Sequence, residues 1–93
     1  MTLSEEARKH IRDRHPEVSR YEELIKDVLA NPEFILKGNR EERKAVRYVK
    51  ETHLGPKYLV VVYREKASGQ KAIITAYFTS DLKRIKGEPI WKA

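Results

Sequence analysis

The chain has 93 residues and a formal net charge of +6, and 37% of its residues are charged, against about 25% in a typical protein. That length suits a single domain, residues 1–93, and the absence of cysteine excludes disulfide bonds and a Cys-ligated zinc site. No apolar run approaches the roughly 20 residues that span a bilayer, and residues 1–6 lack the basic-then-apolar order of a signal peptide, so we expect a cytoplasmic protein.

Two helices are predicted before residue 32. A capping signal formed by Thr2 and Glu5 opens the first helix, which is expected from about Ser4 to His15 and should end at Pro16. The same signal recurs at residues 19–22, and the second helix should run from there to residue 31. Its apolar face follows the spacing of one helical side and comprises Tyr21, Leu24, Ile25, Val28 and Leu29.

After residue 32 the hydrophobic period shifts towards 2, which predicts four strands at residues 34–36, 45–52, 58–64 and 71–79. The connections are short and carry turn residues, so the strands should form an antiparallel meander. The predicted fold class is therefore α+β, with two N-terminal helices packed on a four-stranded, mainly antiparallel sheet in the order ααββββ. The third and fourth strands are apolar on both faces and should be central, whereas the second should lie nearer an edge.

The C-terminal segment after residue 80 is expected to be irregular, because Gly87 and Pro89 oppose regular structure. Trp91 should pack back on the domain, since a free indole is costly unless it binds something.

The positive charge is unevenly distributed along the chain. Residues 1–30 hold six Lys and Arg against seven Asp and Glu, whereas residues 31–93 hold fourteen against seven. A field of this sign attracts polyanions, so nucleic acid is the leading expected partner and an anionic membrane surface a weaker one. An ordinary solvated surface is the alternative. The high charge, with only three Asn and Gln residues, is also a composition reported for heat-adapted proteins.

The first helix carries the most informative side chains. His10 and Arg14 fall inside its apolar stripe, one turn apart. Directed at the sheet, they would suit phosphoryl chemistry. The planar guanidinium of an arginine can bind a phosphate through two hydrogen bonds, and a histidine exchanges protons near neutral pH. Alternatively, His10 bonds a backbone carbonyl and Arg14 pairs with Asp13 or Glu17. The stripe itself is formed by Leu3, Ala7 and Ile11.

His15 lies at the edge of the same stripe, directly before Pro16. It would serve the same chemistry as His10, or it would be a cation favoured by the dipole at a helix C-terminus. His53 follows the second predicted strand and is expected in an exposed turn.

Strict alternation on the fourth strand puts Ile73, Thr75, Tyr77 and Thr79 on one face and Ala72, Ile74, Ala76 and Phe78 on the other. Its hydroxyls beside Arg47 and Lys50 would form a donor-rich surface for a phosphodiester backbone, on which Tyr77 or Tyr48 would stack a base. The alternative is an ordinary solvated strand face, because Thr and Tyr are good strand formers.

Several well-known site patterns are missing from the sequence. There is no P-loop, GxGxxG, HExxH, GxSxG or EF-hand pattern, and the three histidines lack a convincing metal spacing. We therefore expect no cofactor and no bound metal.

The string from His10 to Pro16, the Ile/Leu-rich second helix, the break at residues 31–33 and the run from Ile73 to Tyr77 together resemble a known family. The chain is similar to phage- and toxin-associated nucleases with the barnase, EndoU, colicin and RelE-like (BECR) fold, and the resemblance extends to about Trp91. It implies two helices packed on a four-stranded antiparallel sheet, with metal-independent RNA cleavage in a groove between them.

By this resemblance, His10 and either Arg14 or His15 match the helix-borne motif, and Thr75 matches the motif on the late strand. Arg47 and Lys50 both fit the family's basic strand position. Because they fall on opposite faces of a regular strand, only one of them should line the site.

Three functions are compatible with these features. The leading hypothesis is a metal-independent endoribonuclease, acting as the toxin of a toxin and antitoxin pair with an acidic antitoxin or immunity protein as partner. The second is a non-catalytic basic RNA-binding domain, since a fold does not fix an activity. The third is a protein-interaction module whose charge only confers solubility. The RNA target and the oligomeric state are left open by the sequence.

Overall fold

A computed structural model describes residues 3–93, in which three helices precede one antiparallel sheet. The α+β class is confirmed, with five strands in this part of the chain where four were predicted. The helices are α1 (Glu5–Arg14), α2 (Pro16–Ser19) and α3 (Glu22–Ala30). The strands are β1 (Phe34–Lys37), β2 (Glu42–Val49), β3 (Lys57–Glu65), β4 (Lys71–Thr79) and β5 (Pro89–Lys92), with a 3-10 turn at Leu82–Arg84 before β5.

The first helix forms much as its sequence predicts. Ser4 caps it by accepting a hydrogen bond of 3.1 Å from the Ala7 N–H, and acidic residues in the first turn complement the helix dipole. It ends before Pro16, whose ring cannot continue a helix. The stripe of Leu3, Ala7 and Ile11 is buried, as predicted. The other predicted capping residue, Thr2, lies outside the described residues.

The predicted capping box at residues 19–22 is wrong, although the second long helix does begin within this range, at Glu22. Pro16 opens the short helix α2, so Ser19 falls in its last turn and donates a hydrogen bond of 2.8 Å to the Pro16 carbonyl. The longer helix α3 begins at Glu22, after Tyr21, which makes no side-chain capping bond. Its end at Ala30 agrees with the prediction, and its apolar face packs into the core through Ile25, Val28 and Leu29.

The strand order in the sheet is β4-β3-β2-β1-β5, and all neighbouring pairs are antiparallel. The prediction that β4 is central is wrong, because β4 forms one edge. β2, expected nearer an edge, lies between β3 and β1. β4 is apolar on both faces because α1 and α2 pack against it on one side and a second hydrophobic cluster includes it on the other.

β2 also covers residues 42–49 rather than 45–52. Thr52 belongs to the turn that follows, where its hydroxyl donates to the Gly55 carbonyl and accepts from the Leu54 N–H.

The fifth strand was not predicted, because Gly87 and Pro89 looked like breakers. Gly87 has φ of 138°, and an added Cβ would lie 2.1 Å from the Lys37 carbonyl oxygen, so the glycine is what lets the chain turn close to β1. Pro89 is tolerated because it begins an edge strand. Trp91, expected to pack back on the domain, remains 46% exposed.

The sheet has a hydrophobic cluster on each face. Helices cover the first face, here called the helix face, whose cluster includes Ile11, Val28, Leu59 and Val61. On the opposite face, Ile85 from the segment before β5 packs with Leu36, Val46, Val60 and Val62. No helix among residues 3–93 is long and apolar enough to cross a membrane.

A bulge in β4 overturns the predicted strict alternation. Tyr63 pairs with Ile73 and Val62 pairs with Thr75, so Ile74 has no partner on β3. As a result, Ile73 joins Ala76 and Phe78 in the helix-face cluster, whereas Ile74 and Tyr77 pack in the cluster of the opposite face.

Candidate functional site

Three aromatic rings form a row where the end of α1 meets the edge of β4. The ring centroids of His10 and His15 are 6.2 Å apart, and those of His15 and Tyr77 are 5.7 Å apart. His10 is exposed and borders a surface depression lined also by Ile73 and Ile74 of β4. We call His10, His15 and Tyr77 the ring row.

His15 owes its position to the end of the helix. Its N–H donates the last helical hydrogen bond to the Ile11 carbonyl at 2.7 Å, and its own backbone has left the helical conformation because Pro16 follows. The imidazole is 32% exposed, and its Nδ1 lies 3.7 Å from a carboxylate oxygen of Glu17. At this distance the carboxylate lies beside the ring but does not form a hydrogen bond with it.

Tyr77 reaches the row from β4, where it pairs with Val60 beyond the bulge. The side chain is partly buried in the cluster of the opposite face. This burial raises the pKa of the phenol above its usual value of 10.0. The phenol therefore stays protonated at neutral pH and can donate a hydrogen bond.

Thr75 lies two residues before Tyr77, opposite Val62. Its hydroxyl oxygen is buried and has no hydrogen-bond partner among residues 3–93. A buried polar group in this state costs about 1–3 kcal/mol, so the hydroxyl does not stabilise the fold through a hydrogen bond within the described chain.

Arg14 lies one turn after His10 and is exposed. It forms no ion pair in the described part of the chain, so the alternative pairing with Asp13 or Glu17 is not seen. His10 and Arg14 lie on the solvent-exposed flank of the buried stripe rather than within it, and of the two His10 is the one that borders β4.

Arg47 lies on the helix face, away from the ring row. Its guanidinium contacts Asp27 Oδ2 at 2.6 Å and the Asn31 carbonyl at 3.3 Å, and so ties β2 to the end of α3. The hydrogen bond from Arg47 holds the pKa of Asp27 below its usual value. Lys50, the other basic candidate, is exposed just after β2.

The remaining predicted contact residues do not join the ring row either. Tyr48 lies on the opposite face, 43% exposed, with its ring centroid 5.2 Å from that of Tyr58. The Thr79 hydroxyl bonds to the backbone of Asp81 at 3.3 Å and closes the turn after β4. His53 lies in an exposed turn, as predicted, where its ring stacks on Tyr21 and shares a hydrogen bond of 2.8 Å with the Tyr21 hydroxyl.

Sequence reasoning missed two residues at these sites. Glu17 was considered only as a partner for Arg14, although a carboxylate two residues after a histidine at a helix end is a detectable signal. Tyr58 was treated only as a strand former. Its pairing with Tyr48 depends on the register between β2 and β3, which could not be predicted from the sequence. No group of three or more His, Asp or Glu residues arranged to hold a metal ion is found among residues 3–93.

Comparison with protein families decides the assignment. The family described as "phage-Barnase-EndoU-ColicinE5/D-RelE like nuclease3" matches residues 1–86. The chain belongs to this nuclease family. The matched region contains every helix and strand described above except β5, and it includes the whole ring row. Comparisons with curated proteins and with solved structures give no match.

Proposed function

We propose that this BECR-family protein is a metal-independent endoribonuclease whose reacting phosphodiester lies over the ring row. The observation that carries the proposal is the 6.2 Å separation of the two histidine rings at the β4 edge, in a chain that belongs to a nuclease family. Two imidazoles this close can reach the same phosphodiester, one at each side of the phosphorus. The net positive balance of residues 31–93 supports a polyanionic substrate.

The chemistry needs only a base, an acid and donors for the charge that develops on phosphorus. One imidazole takes the proton of the ribose 2′-OH, whose oxygen attacks phosphorus and forms the O2′–P bond. The P–O5′ bond breaks, and the other imidazole gives a proton to the leaving oxygen. The products are a 2′,3′-cyclic phosphate and a 5′-OH end.

The developing negative charge is stabilised by Arg14 and Tyr77 in this proposal. Arg14 carries an exposed fork one turn from His10, and the Tyr77 phenol is a neutral donor. Thr75 would offer its hydroxyl, which has no partner in the described chain, as a further donor to the phosphate. Lys50 rather than Arg47 would contact the RNA backbone, because Arg47 is already bonded to Asp27.

The reaction is tested by incubating the purified protein with mixed-sequence RNA in EDTA. We expect fragments that end in 2′,3′-cyclic phosphate. An RNA with 2′-deoxy sugars at every cleaved position should resist cleavage, because it lacks the nucleophile. Cleavage that requires an added divalent ion, or that persists without the 2′-OH, would overturn the mechanism.

A non-catalytic RNA-binding domain is the second candidate, favoured by the fourteen Lys and Arg against seven Asp and Glu in residues 31–93. It predicts RNA binding that weakens steeply with salt, because several phosphates are neutralised, but no fragments in any buffer. If RNA binding is undetectable at low salt, a protein-interaction module replaces both candidates.

The proposed biological role is that of a toxin neutralised by an acidic antitoxin or immunity protein. The excess positive charge supports an acidic partner, because complementary charge speeds and directs association. Induced expression of the chain should arrest bacterial growth, and co-expression of a small acidic protein encoded beside its gene should restore it. Normal growth under strong expression of active nuclease would contradict the toxin role.

A further inference from the structure

Tyr48 and Tyr58 form an aromatic pair on the same sheet face as Tyr77. They are direct cross-strand partners on β2 and β3, with ring centroids 5.2 Å apart and ring planes inclined at 62°. Tyr58 is partly buried against the cluster of the opposite face, whereas Tyr48 is 43% exposed. The pair therefore presents one open aromatic ring that is supported from the side by another.

The exposed ring is held in place before any ligand arrives. The edge contact with Tyr58 restricts one side of Tyr48, and pairing with Tyr58 in the ladder between β2 and β3 fixes its backbone on that side. The Tyr48 N–H also donates to the Glu33 carboxylate. A fixed aromatic surface loses little conformational entropy on binding, which is what favours aromatic anchors in recognition sites.

The other four tyrosines are buried or already in contact with other side chains. Tyr21 bonds to His53, Tyr63 is buried, Tyr77 belongs to the ring row, and Tyr58 supports Tyr48. Tyr48 is thus the most exposed tyrosine in the described chain.

The register connects this pair to the ring row. Tyr77 pairs with Val60, and Tyr58 pairs with Thr79, so Tyr77 and Tyr58 are diagonal neighbours on one face. Diagonal neighbours on adjacent strands lie roughly 7–8 Å apart. A line of rings therefore runs from His10 through Tyr77 and Tyr58 to Tyr48, crossing the sheet from its β4 edge.

We propose that Tyr48, supported by Tyr58, stacks an unpaired nucleobase outside the two nucleotides joined by the cleaved phosphodiester, so that the preferred substrate is single-stranded at that position. An aromatic ring accepts any base face but cannot reach bases enclosed in a duplex. The carboxylate of Glu33, bonded to the Tyr48 backbone N–H, repels a phosphate close to this residue, whereas a neutral base can be accommodated. Exposed Lys50, two residues further along, would hold the adjoining backbone phosphate.

This inference rests on the proposed nuclease function. Comparing two substrates distinguishes a failure of the stacking inference from a failure of the nuclease proposal. A dinucleotide contains only the cleaved linkage and the two bases beside it, whereas a hexanucleotide also supplies bases beyond those two. For Tyr48→Ala we expect the ratio of kcat/KM on the hexanucleotide to that on the dinucleotide to fall roughly 5- to 150-fold, the range that stacking of one base implies. Tyr48→Phe keeps the ring and should keep the ratio.

Binding to an uncleavable hexanucleotide with a 2′-deoxy sugar at the cleaved position gives a readout that does not need catalysis. Tyr48→Ala should weaken this binding by a similar factor, and an abasic site at one flanking position should abolish the difference between the variant and the wild type. A ratio unchanged in Tyr48→Ala, an equal loss for Tyr48→Phe, or equal weakening at every abasic position would overturn the inference. If the wild type binds but cleaves neither substrate, the nuclease proposal fails while the stacking site is still tested by binding.

Discussion

The imidazole of His15 lies 5.7 Å from the phenol of Tyr77, ring centroid to ring centroid, where the end of α1 meets the edge of β4. Both positions depend on local irregularities. Pro16 ends the helix directly after His15, and the bulge at Ile74 sets the direction of Tyr77. The contact thus joins two interruptions of regular structure rather than two regular elements, which is common where a fold carries a site.

Tyr77→Phe should lower the rate of RNA cleavage by roughly 10- to 100-fold, because it removes a hydrogen bond to a charged transition state. Burial raises the pKa of Tyr77 above 10.0, so its ionisation should not appear in the pH–rate profile between pH 5 and about 9. Tyr63→Phe is the matched control, since Tyr63 is buried on the helix face. Full activity of Tyr77→Phe would remove the phenol from the mechanism.

Thr75→Val should stabilise the fold by about 1–3 kcal/mol, because it replaces a buried hydroxyl that has no partner in the described chain. If the hydroxyl serves the reaction, the same variant cleaves RNA more slowly. Thr79→Val is the control, for which the opposite change in stability is expected. The Thr79 hydroxyl bonds to the backbone of Asp81, so its loss should destabilise the fold. Urea denaturation and cleavage rates of both variants measure the two effects. A Thr75→Val protein that is less stable than the wild type would contradict this reading.

How far the sequence predicts this fold depends on the kind of signal. Pro16, the Leu3, Ala7 and Ile11 stripe and the change of hydrophobic period at residue 32 are local patterns, and the structure agrees with each. The bulge at Ile74 has no local signature, because a run of alternating apolar residues looks the same with or without it. It puts Ile73 and Ile74 on faces opposite to those predicted relative to the rest of β4, whereas Thr75, Tyr77 and Thr79 share one face as predicted.

The site residues also divide into those that local patterns identify and those that depend on contacts distant in the sequence. Spacing alone singled out His10, and position before Pro16 singled out His15, but their nearness to Tyr77 depends on which strand forms the sheet edge. Arg47 looked equally suited to bind phosphate. Its pairing with Asp27 is a contact across 20 residues of chain and could be seen only in three dimensions.

Glu22→Gln should destabilise the protein at neutral pH and much less in acid. Arg8 donates to both carboxylate oxygens of Glu22, at 2.8 and 3.1 Å, and this hydrogen bonding lowers the pKa of Glu22 below 4.5. A lowered folded-state pKa contributes stability above the unfolded value that is lost as the pH falls through the folded one. The difference in urea midpoint between wild type and variant should therefore shrink below about pH 4.5.

Glu23→Gln is the matched control for that experiment. It lies in the same first turn of α3, but its side chain is 91% exposed and its nearest cation, Lys26, is 3.7 Å away. We expect a smaller effect that varies little with pH. Equal effects of the two substitutions at pH 7 would show that the Arg8 contact contributes nothing.

Gly87→Ala should destabilise the protein more than Gly69→Ala. Both glycines have positive φ, 138° and 87°, so each substitution costs about 1–2 kcal/mol of backbone strain. Only at Gly87 would the new methyl group also meet a carbonyl oxygen, that of Lys37, at 2.1 Å, whereas nothing lies near a Cβ at Gly69. Thermal unfolding of the two variants compares them. Equal losses would mean that β5 does not depend on this close approach.

The most direct measurement is the rate of RNA cleavage in EDTA by His10→Ala and His15→Ala, compared with His53→Ala. Loss of a general acid or base lowers a rate by roughly 10²- to 10⁴-fold, so both ring-row variants should fall by that much while retaining the unfolding midpoint of the wild type. His53 is bonded to Tyr21 outside the ring row, and its variant should cleave at nearly the wild-type rate. If His10→Ala and His15→Ala cleave RNA as fast as His53→Ala, the ring row is not the catalytic centre.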